Sequence, residues 1–230
     1  MNLAILIPSK KRSEQLLKNI SKSNINSSSI NLEYHILVDN YEEYIEYKKI
    51  LFQQNIKIYF KYFKYQSHRY AYLLKKTISD YYLIFSDDVF INFLDKKINY
   101  LKNDKLFCAE NENKILVNHP IISDNIKDKV INILSNCKFS RICVDTILSY
   151  YFSSNSKETF PINIIHQQIF YPSKKNYKIF QKDILAFFKY IVLNKKTISG
   201  SKLFVKVYLI ILLLLDLLSA KKNYYLANID

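Results

Sequence analysis

Tyr81-Tyr82-Leu83-Ile84-Phe85-Ser86-Asp87-Asp88 is the stretch on which the fold of this 230-residue chain turns. Five large apolar or aromatic residues in succession read as a strand buried on both faces, the pattern of an inner strand in a parallel α/β sheet. The run stops at two adjacent carboxylates. Neighbouring side chains on a strand point to opposite faces, so two successive aspartates converge only where the chain turns out of the sheet. The carboxyl end of a strand is also where open α/β sheets bind their ligands. Two carboxylates about 4 Å apart repel by roughly 4 kcal/mol at an effective dielectric of about 20. A cation relieves that repulsion, and hard oxygen ligands at a sheet edge suit Mg²⁺ or Mn²⁺ holding a phosphate. A solvated acidic turn accounts for the pair as well at this level, because turns favour Asp on their own account.

Upstream of this run, strand and helix patterns alternate. Leu3–Ile7 is an apolar strand, and Arg12–Ile20 has helical spacing through Leu16, Leu17 and Ile20. The polar stretch Ser21–Asn31 reads as a loop. Tyr34–Val38 is the second strand, ending at Asp39-Asn40. A helix is expected over Tyr41–Gln54, with Glu42 and Glu43 in the first turn, where the helix dipole favours them. Ile56–Phe60 is a third strand, Ser67–Ile78 a helix, and Tyr81–Phe85 the fourth strand. This rhythm predicts a mostly parallel sheet with right-handed crossovers.

Beyond residue 90 the pattern is less regular. Lys105–Cys108 and Ile115–Val117 read as two short strands joined by the turn Glu110–Lys114. Asp124–Leu134 and Ile142–Phe152 read as helices, Ile162–Ile165 as a strand leading into His166, and Tyr177–Leu193 as an amphipathic segment. Leu203–Leu218 is almost wholly apolar, yet it is shorter than the roughly 20 residues that span a bilayer and contains Lys206 and Asp216. Lys195, Lys196, Lys202, Lys221 and Lys222 flank it. Burial against the domain, a dimer interface and an interfacial membrane helix all fit that pattern, with a true span the remaining alternative.

Composition narrows the chemistry. Gly200 is the one glycine, which excludes P-loops, dinucleotide-binding GxGxxG turns and other glycine-rich phosphate loops. Any phosphate must be held by metal, basic side chains or helix N-termini. Net charge is +14, from 34 Lys and Arg against 20 Asp and Glu, which favours polyanionic partners or a lysine-rich solvated surface. Cys108, Cys137 and Cys143 have no CxxC pairing and read as reduced thiols of a cytosolic protein. Leu3-Ala4-Ile5-Leu6-Ile7-Pro8 follows the N-terminus with no basic region ahead of it, so it reads as a first strand and not as a secretion signal.

Three segments together resemble family 2 glycosyltransferases of the GT-A fold, over about residues 3 to 90. Ile5-Leu6-Ile7-Pro8-Ser9-Lys10-Lys11-Arg12 looks like their first strand and the loop that receives the nucleotide. Tyr34-His35-Ile36-Leu37-Val38-Asp39-Asn40 looks like their second strand, whose terminal aspartate contacts the nucleoside. His68-Arg69 through Asp80-Tyr81 to Asp87-Asp88 is similar to their arginine-bearing helix, "GDY" turn and metal-binding strand end, with Ser79 in place of the glycine and Ser86 in place of the first acidic residue.

The resemblance implies a GT-A (Rossmann-like) α/β catalytic domain over residues 1–175, with a nucleotide-binding half at 1–90 and an acceptor half at 91–175. A helical extension over 176–230 would follow it. Pro8, Ser9, Asp39, Arg69 and Asp87 would bind the nucleotide-sugar donor (a UDP-sugar), with Lys10 or Lys11 helping Arg69 at the diphosphate. Asp88 would bind Mn²⁺ or Mg²⁺, with His166 completing the metal site. Asp145, opening the helix of Cys143-Val144-Asp145-Thr146-Ile147-Leu148, would be the catalytic base of an inverting transfer, with Asp124 as the second candidate. A plain helix-dipole role also fits Asp145. His119 could lie against the acceptor. The implied activity is transfer to a glycan or lipid-linked acceptor in lipopolysaccharide or capsule synthesis. The implied location is cytoplasmic, peripheral at the inner face of an anionic membrane.

Two further readings remain. The basic aromatic stretch Tyr59–Tyr65 fits a single-stranded nucleic-acid groove. Against that, it follows a strand inside an α/β unit, and the positive charge is not concentrated there. A glycosyltransferase-like fold without catalysis would serve as a partner protein only.

Overall fold

The computed structural model describes residues 1–23, 30–94, 106–112, 117–138, 144–152 and 157–166, together with residues 182, 207, 211, 214, 215 and 218. The elements are β1 (Asn2–Pro8), α1 (Ser13–Lys22), β2 (Asn31–Val38), α2 (Tyr41–Ile50), β3 (Ile56–Phe60), α3 (Gln66–Lys76) and β4 (Tyr81–Ile84). There follow β5 (Val89–Phe93), β6 (Leu106–Ala109), β7 (Ile121–Ser123), a 3₁₀ turn (Asp124–Ile126), α4 (Lys127–Asn136), α5 (Val144–Tyr151), β8 (Lys157–Phe160) and β9 (Ile162–His166). Seven strands form one sheet in the order β3-β2-β1-β4-β7-β6-β8, and β5 pairs with β9 separately. β1 to β4 run parallel, β7 is antiparallel to β4 and to β6, and β6 pairs in parallel with β8.

β4 lies in the middle of the sheet and is buried on both faces. Tyr82 and Ile84 join the cluster under α3, α4 and α5, with Leu73, Leu74, Val130, Leu134 and Leu148. Tyr81, Leu83 and Phe85 join the other cluster, with Leu16, Tyr47, Ile91 and Ile164. Each fully buried Leu or Ile contributes roughly 1.5–3 kcal/mol by leaving water. This two-sided demand is why the sequence is a continuous apolar run and not an alternation.

α2 starts where Asn40 caps it, its side chain accepting from the Glu43 N–H at 2.9 Å. It ends at Ile50, four residues before the predicted boundary. His35, buried in β2, has one ring nitrogen 2.6 Å from Glu33 and the other near the hydroxyls of Thr77 and Tyr59. Burial lowers its pKa against the pull of Glu33. A neutral imidazole donating to Glu33 satisfies both nitrogens.

One expected strand and one expected helix need revision. β6 pairs with Ile121–Ser123; of the expected strand Ile115–Val117, Val117 lies outside any strand, and residues 115 and 116 fall outside the described ones. The helix expected from Asp124 opens with one 3₁₀ turn, and its α-helical part starts at Lys127. Cys108 and Cys137 are buried, the Cys108 thiol 3.5 Å from the Glu158 carbonyl, and burial pushes Cys137 up to about 11. Cys143 and the amphipathic segment 177–193, apart from helical Lys182, fall outside the described residues.

Candidate functional site

β1 lies between β2 and β4, so the chain crosses from one side of β1 to the other, and the gap between the ends of β1 and β4 is the sheet's switch point. Two loops meet there: Ser9–Arg12 after β1, and Phe85–Asp88 after β4. They are joined by a directed chain of hydrogen bonds. The Arg12 N–H donates to the Tyr47 hydroxyl (2.9 Å), which lies 2.8 Å from Ser9 Oγ, and Ser9 Oγ donates to Asp87 Oδ2 (2.7 Å). Ser9 has one hydroxyl proton and gives it to Asp87, so Tyr47 is the donor to Ser9. The Arg12 guanidinium closes the ring on Asp87 Oδ1 at 2.9 Å.

The acidic turn is held from behind as well. Asn19 of α1 donates to the Asp87 carbonyl (2.7 Å), and Tyr70 of α3 to the Phe85 carbonyl (2.7 Å). Both Asp87 oxygens and its backbone are therefore committed to the protein. Asp87, which the resemblance placed among the donor-binding residues, joins the two loops. The Asp88 carboxylate is partly exposed and has no hydrogen-bond or ion-pair partner among the described residues.

The strand register brings a second candidate close. His166 is the last residue of β9, and its Cα pairs with Val89, the residue after Asp88. Asn111 fixes this register from the turn after β6, its amide donating to the Ile164 carbonyl (2.8 Å) and accepting from the Ile164 N–H (3.0 Å). No group of three or more His, Cys, Asp or Glu suited to a metal occurs among the described residues.

The end of β2 carries the other predicted residues. Asp39 is ion-paired with Arg69 of α3 and with Lys10 Nζ at 3.0 Å. Its N–H faces Glu43 Oε2 at 3.5 Å, a long contact of the capping-box kind. Glu43 Oε1 and Arg69 Nε are buried without partners among the described residues, in residues 4% and 9% exposed. The strand end thus holds two carboxylates and two cations with hydrogen-bonding capacity in reserve. Pro8 ends β1, buried and paired with Leu37. Lys11 adopts φ 53°, the left-handed region that costs a non-glycine residue on the order of 1 kcal/mol, in a chain with little glycine to relieve it.

The candidates from the second half separate. Asp145 is the second residue of α5, as the helical pattern predicts; its side chain falls outside the described part. Asp124 lies at the amino end of β4, where Ser123 pairs with Tyr81, and accepts from the Tyr82 hydroxyl at 2.7 Å. That is the edge opposite Asp88, so Asp124 is removed as a base at this site. His119 sits at the ligand edge, its ring 5.7 Å from Phe85, and is held by Glu112 at 2.7 Å. Arg12 and Tyr47 were not among the expected site residues. The Lys10-Lys11-Arg12 run signalled cations, but only the loop geometry selects Arg12 for Asp87.

Removing the Tyr47 hydroxyl tests the loop's role. Tyr47→Phe leaves the Arg12 N–H without its acceptor and Ser9 without one donor, at a cost of about 1 kcal/mol in stability. Titration calorimetry with UDP and GDP should then show nucleotide affinity reduced several-fold. A lower melting temperature with unchanged affinity would make Tyr47 a packing residue only.

The architecture is shared with solved glycosyltransferases and is a GT-A-type α/β fold. A mannosyltransferase from Pyrobaculum calidifontis, in complex with GDP-Man and Mn²⁺, superposes with a TM-score of 0.56 at 7% identity, covering 96% of this chain and 73% of that one. TarS 1–349 of S. aureus in complex with UDP-GlcNAc covers 88% and 69% at 12% identity, with a TM-score of 0.47. GlyE of Streptococcus pneumoniae TIGR4 gives a TM-score of 0.43 at 12% identity, and 68% of this chain spans 44% of that protein. No protein-family model matches the chain, and no curated protein matches its sequence.

Proposed function

We propose that this chain is a metal-dependent glycosyltransferase that moves a sugar, with inversion, from a nucleotide-diphosphate donor to a glycan or lipid-linked acceptor. One observation carries the reading: at the switch point Asp87 is consumed by Ser9 and Arg12, while Asp88 has no partner among the described residues and lies next in sequence to Val89, the strand partner of His166. A carboxylate and an imidazole are few ligands for a closed metal site. They suit a Mn²⁺ or Mg²⁺ that takes its remaining oxygens from a diphosphate and water. The mannosyltransferase with the same fold was solved with GDP-Man and Mn²⁺, which supports this donor set.

The bound cation would supply charge neutralisation at the departing diphosphate. Asp39 reads the nucleoside, with Glu43 holding its backbone. Arg69 is buried and preorganised, whereas Lys10 is exposed enough to swing from Asp39 to a phosphate. The Ser9–Arg12 loop, locked by Asp87 and Tyr47, lines the donor's floor. Asp145 takes the acceptor proton. Surface glycans such as lipopolysaccharide or capsule, built at the cytoplasmic face, are the acceptors we assign, and the +14 charge is compatible with an anionic lipid-linked one.

The nucleic-acid reading loses its main support. In the basic aromatic stretch, Tyr59 packs on His35 and Tyr72, Phe63 on Tyr72, and Tyr65 on His68. Those rings are engaged within the fold, and Tyr62 is exposed without a neighbouring platform among the described residues.

A panel of UDP-, GDP-, CMP- and dTDP-sugars, incubated with Mn²⁺, Mg²⁺ or EDTA, tests the proposal. Slow donor hydrolysis with one member of the panel, abolished by EDTA, is the expected result. Metal-dependent nucleotide binding with no turnover on any donor would favour the non-catalytic partner reading. Salt-sensitive retention of single-stranded DNA with no nucleotide binding would overturn both.

A further inference from the structure

The side of α3 turned away from the core borders a cavity that the donor site does not use. His68, Tyr72 and Lys75 of α3, Lys61 and Phe63 of the segment after β3, and Ser135 of α4 line it, around a volume of about 310 Å³. That is the size of a small-ligand pocket. At 3.6 residues per turn the three α3 residues fall within an arc of about 60°. Arg69, Tyr70, Leu73 and Leu74 form the buried side of the helix, and Arg69 reaches Asp39 from there. The walls are fixed. The Lys61 N–H donates to the Val38 carbonyl (3.1 Å), and Ser67 Oγ donates to the Cys137 carbonyl (2.9 Å), which ties the start of α3 to the end of α4.

The lining is cationic and includes no carboxylate. Lys61 Nζ lies 5.3 Å from the ring centroids of both Phe63 and Tyr72, and Lys76 Nζ lies 5.9 Å from the Tyr72 ring. Lys61 and Lys75 have no ion-pair partner among the described residues. Cations gathered at one wall repel each other, and aromatic faces offset that only in part. His68 supplies a second, independent observation. Its Nε2 is buried without a hydrogen-bond partner among the described residues, a costly state for a polar atom. With the ring proton on Nε2 it is a donor, so an anion bound in the cavity that His68 lines would satisfy it.

We infer that this cavity binds a phosphoryl group, carried by a small phosphate ester or a diphosphate, with Lys61, Lys75 and His68 donating to its oxygens and the Ser135 hydroxyl beside them. A terminal phosphoryl group presents three strong acceptor oxygens and about two negative charges, which suits several charge-assisted donors better than a carboxylate does. Phe63 and Tyr72 hold the Lys61 ammonium in place and wall the rest of the cavity. None of the lining residues belongs to the donor or metal set, so the site stands whether or not the chain transfers a sugar.

Titration of the full chain with inorganic pyrophosphate in EDTA, which silences any metal-dependent donor site, provides the test. The chain has four histidines, so their ring signals are resolvable by NMR, and His68→Gln identifies the one that matters. Pyrophosphate should shift the His68 signal saturably, and equally in Asp88→Ala. Lys61→Gln with Lys75→Gln, at two exposed positions, should weaken binding on the order of tenfold or more with the melting temperature unchanged. Vesicles of phosphatidylcholine with and without phosphatidic acid then identify the carrier. Pelleting with phosphatidic acid alone, reversed by pyrophosphate, places the phosphoryl group on a lipid headgroup; pyrophosphate binding with no pelleting places it on a soluble ester. A His68 signal that does not move, or wild-type affinity in the Lys61→Gln, Lys75→Gln variant, would overturn the inference. Loss of pyrophosphate binding in Asp88→Ala would do so as well, by assigning the phosphate to the donor site.

Discussion

Asp88→Ala should abolish the Mn²⁺-dependent part of nucleotide binding and lower transfer by about a thousandfold or more, while leaving the fold intact. The size of the loss follows from Lewis-acid stabilisation of a departing diphosphate, worth several kcal/mol, at tenfold in rate per 1.4 kcal/mol or so. The unchanged fold follows from the structure: Asp88 is partly exposed and bonds to no described side chain, so its removal costs stability no more than about 0.5 kcal/mol. Asp87→Ala is the informative contrast. It strips Ser9, Arg12 and the acidic turn of their shared acceptor, and the melting temperature should fall because the buried Ser9 hydroxyl loses its acceptor and the ion pair to Arg12 is lost. Calorimetry of UDP and GDP binding with and without Mn²⁺, run beside thermal melts, separates the two residues. Wild-type metal-dependent binding in Asp88→Ala would remove the central assignment, whatever the panel of donors had shown.

That two adjacent aspartates divide in this way could not be read from their sequence. The strand was legible because β4 is buried on both faces, and burial on both faces leaves a continuous apolar run. Its two carboxylates look identical in sequence. What distinguishes them is Arg12, 75 positions away, and a tyrosine on α2 that no local pattern singles out. Asp124 illustrates the same limit. Its helix-opening position was legible, but which edge of the sheet it lies on depends on β7 running antiparallel to β4. β5 and β8 were missed for a related reason. They are four or five residues long, too short for periodicity to speak, and their pairing with β9 and β6 is settled by contacts made across most of the second half. The first four strands and three helices, each supported by an apolar run or a helical face, were within a few residues of where they lie.

Asp145→Asn should keep donor binding and lose turnover by roughly 10²–10⁴, the usual contribution of a positioned general base. The residue stands in the first turn of α5, whose core face is set by Val144, Ile147 and Leu148, all buried. Ser149, farther along the same helix, accepts from the Val117 N–H through its hydroxyl at 3.0 Å. Val117 leads within two residues to His119, packed on Phe85 at the head of the acidic turn. The hydrogen bond from Val117 thus ties α5 to the segment that carries His119. The amide keeps the size and much of the capping ability of the carboxylate but cannot take a proton. A dipole role predicts a small loss of stability, a few tenths of a kcal/mol to about 1, with turnover unchanged. Single-turnover transfer and donor affinity measured in one preparation distinguish the two, and a rate within a few-fold of wild type would leave Asp145 a helix-terminal charge and nothing more.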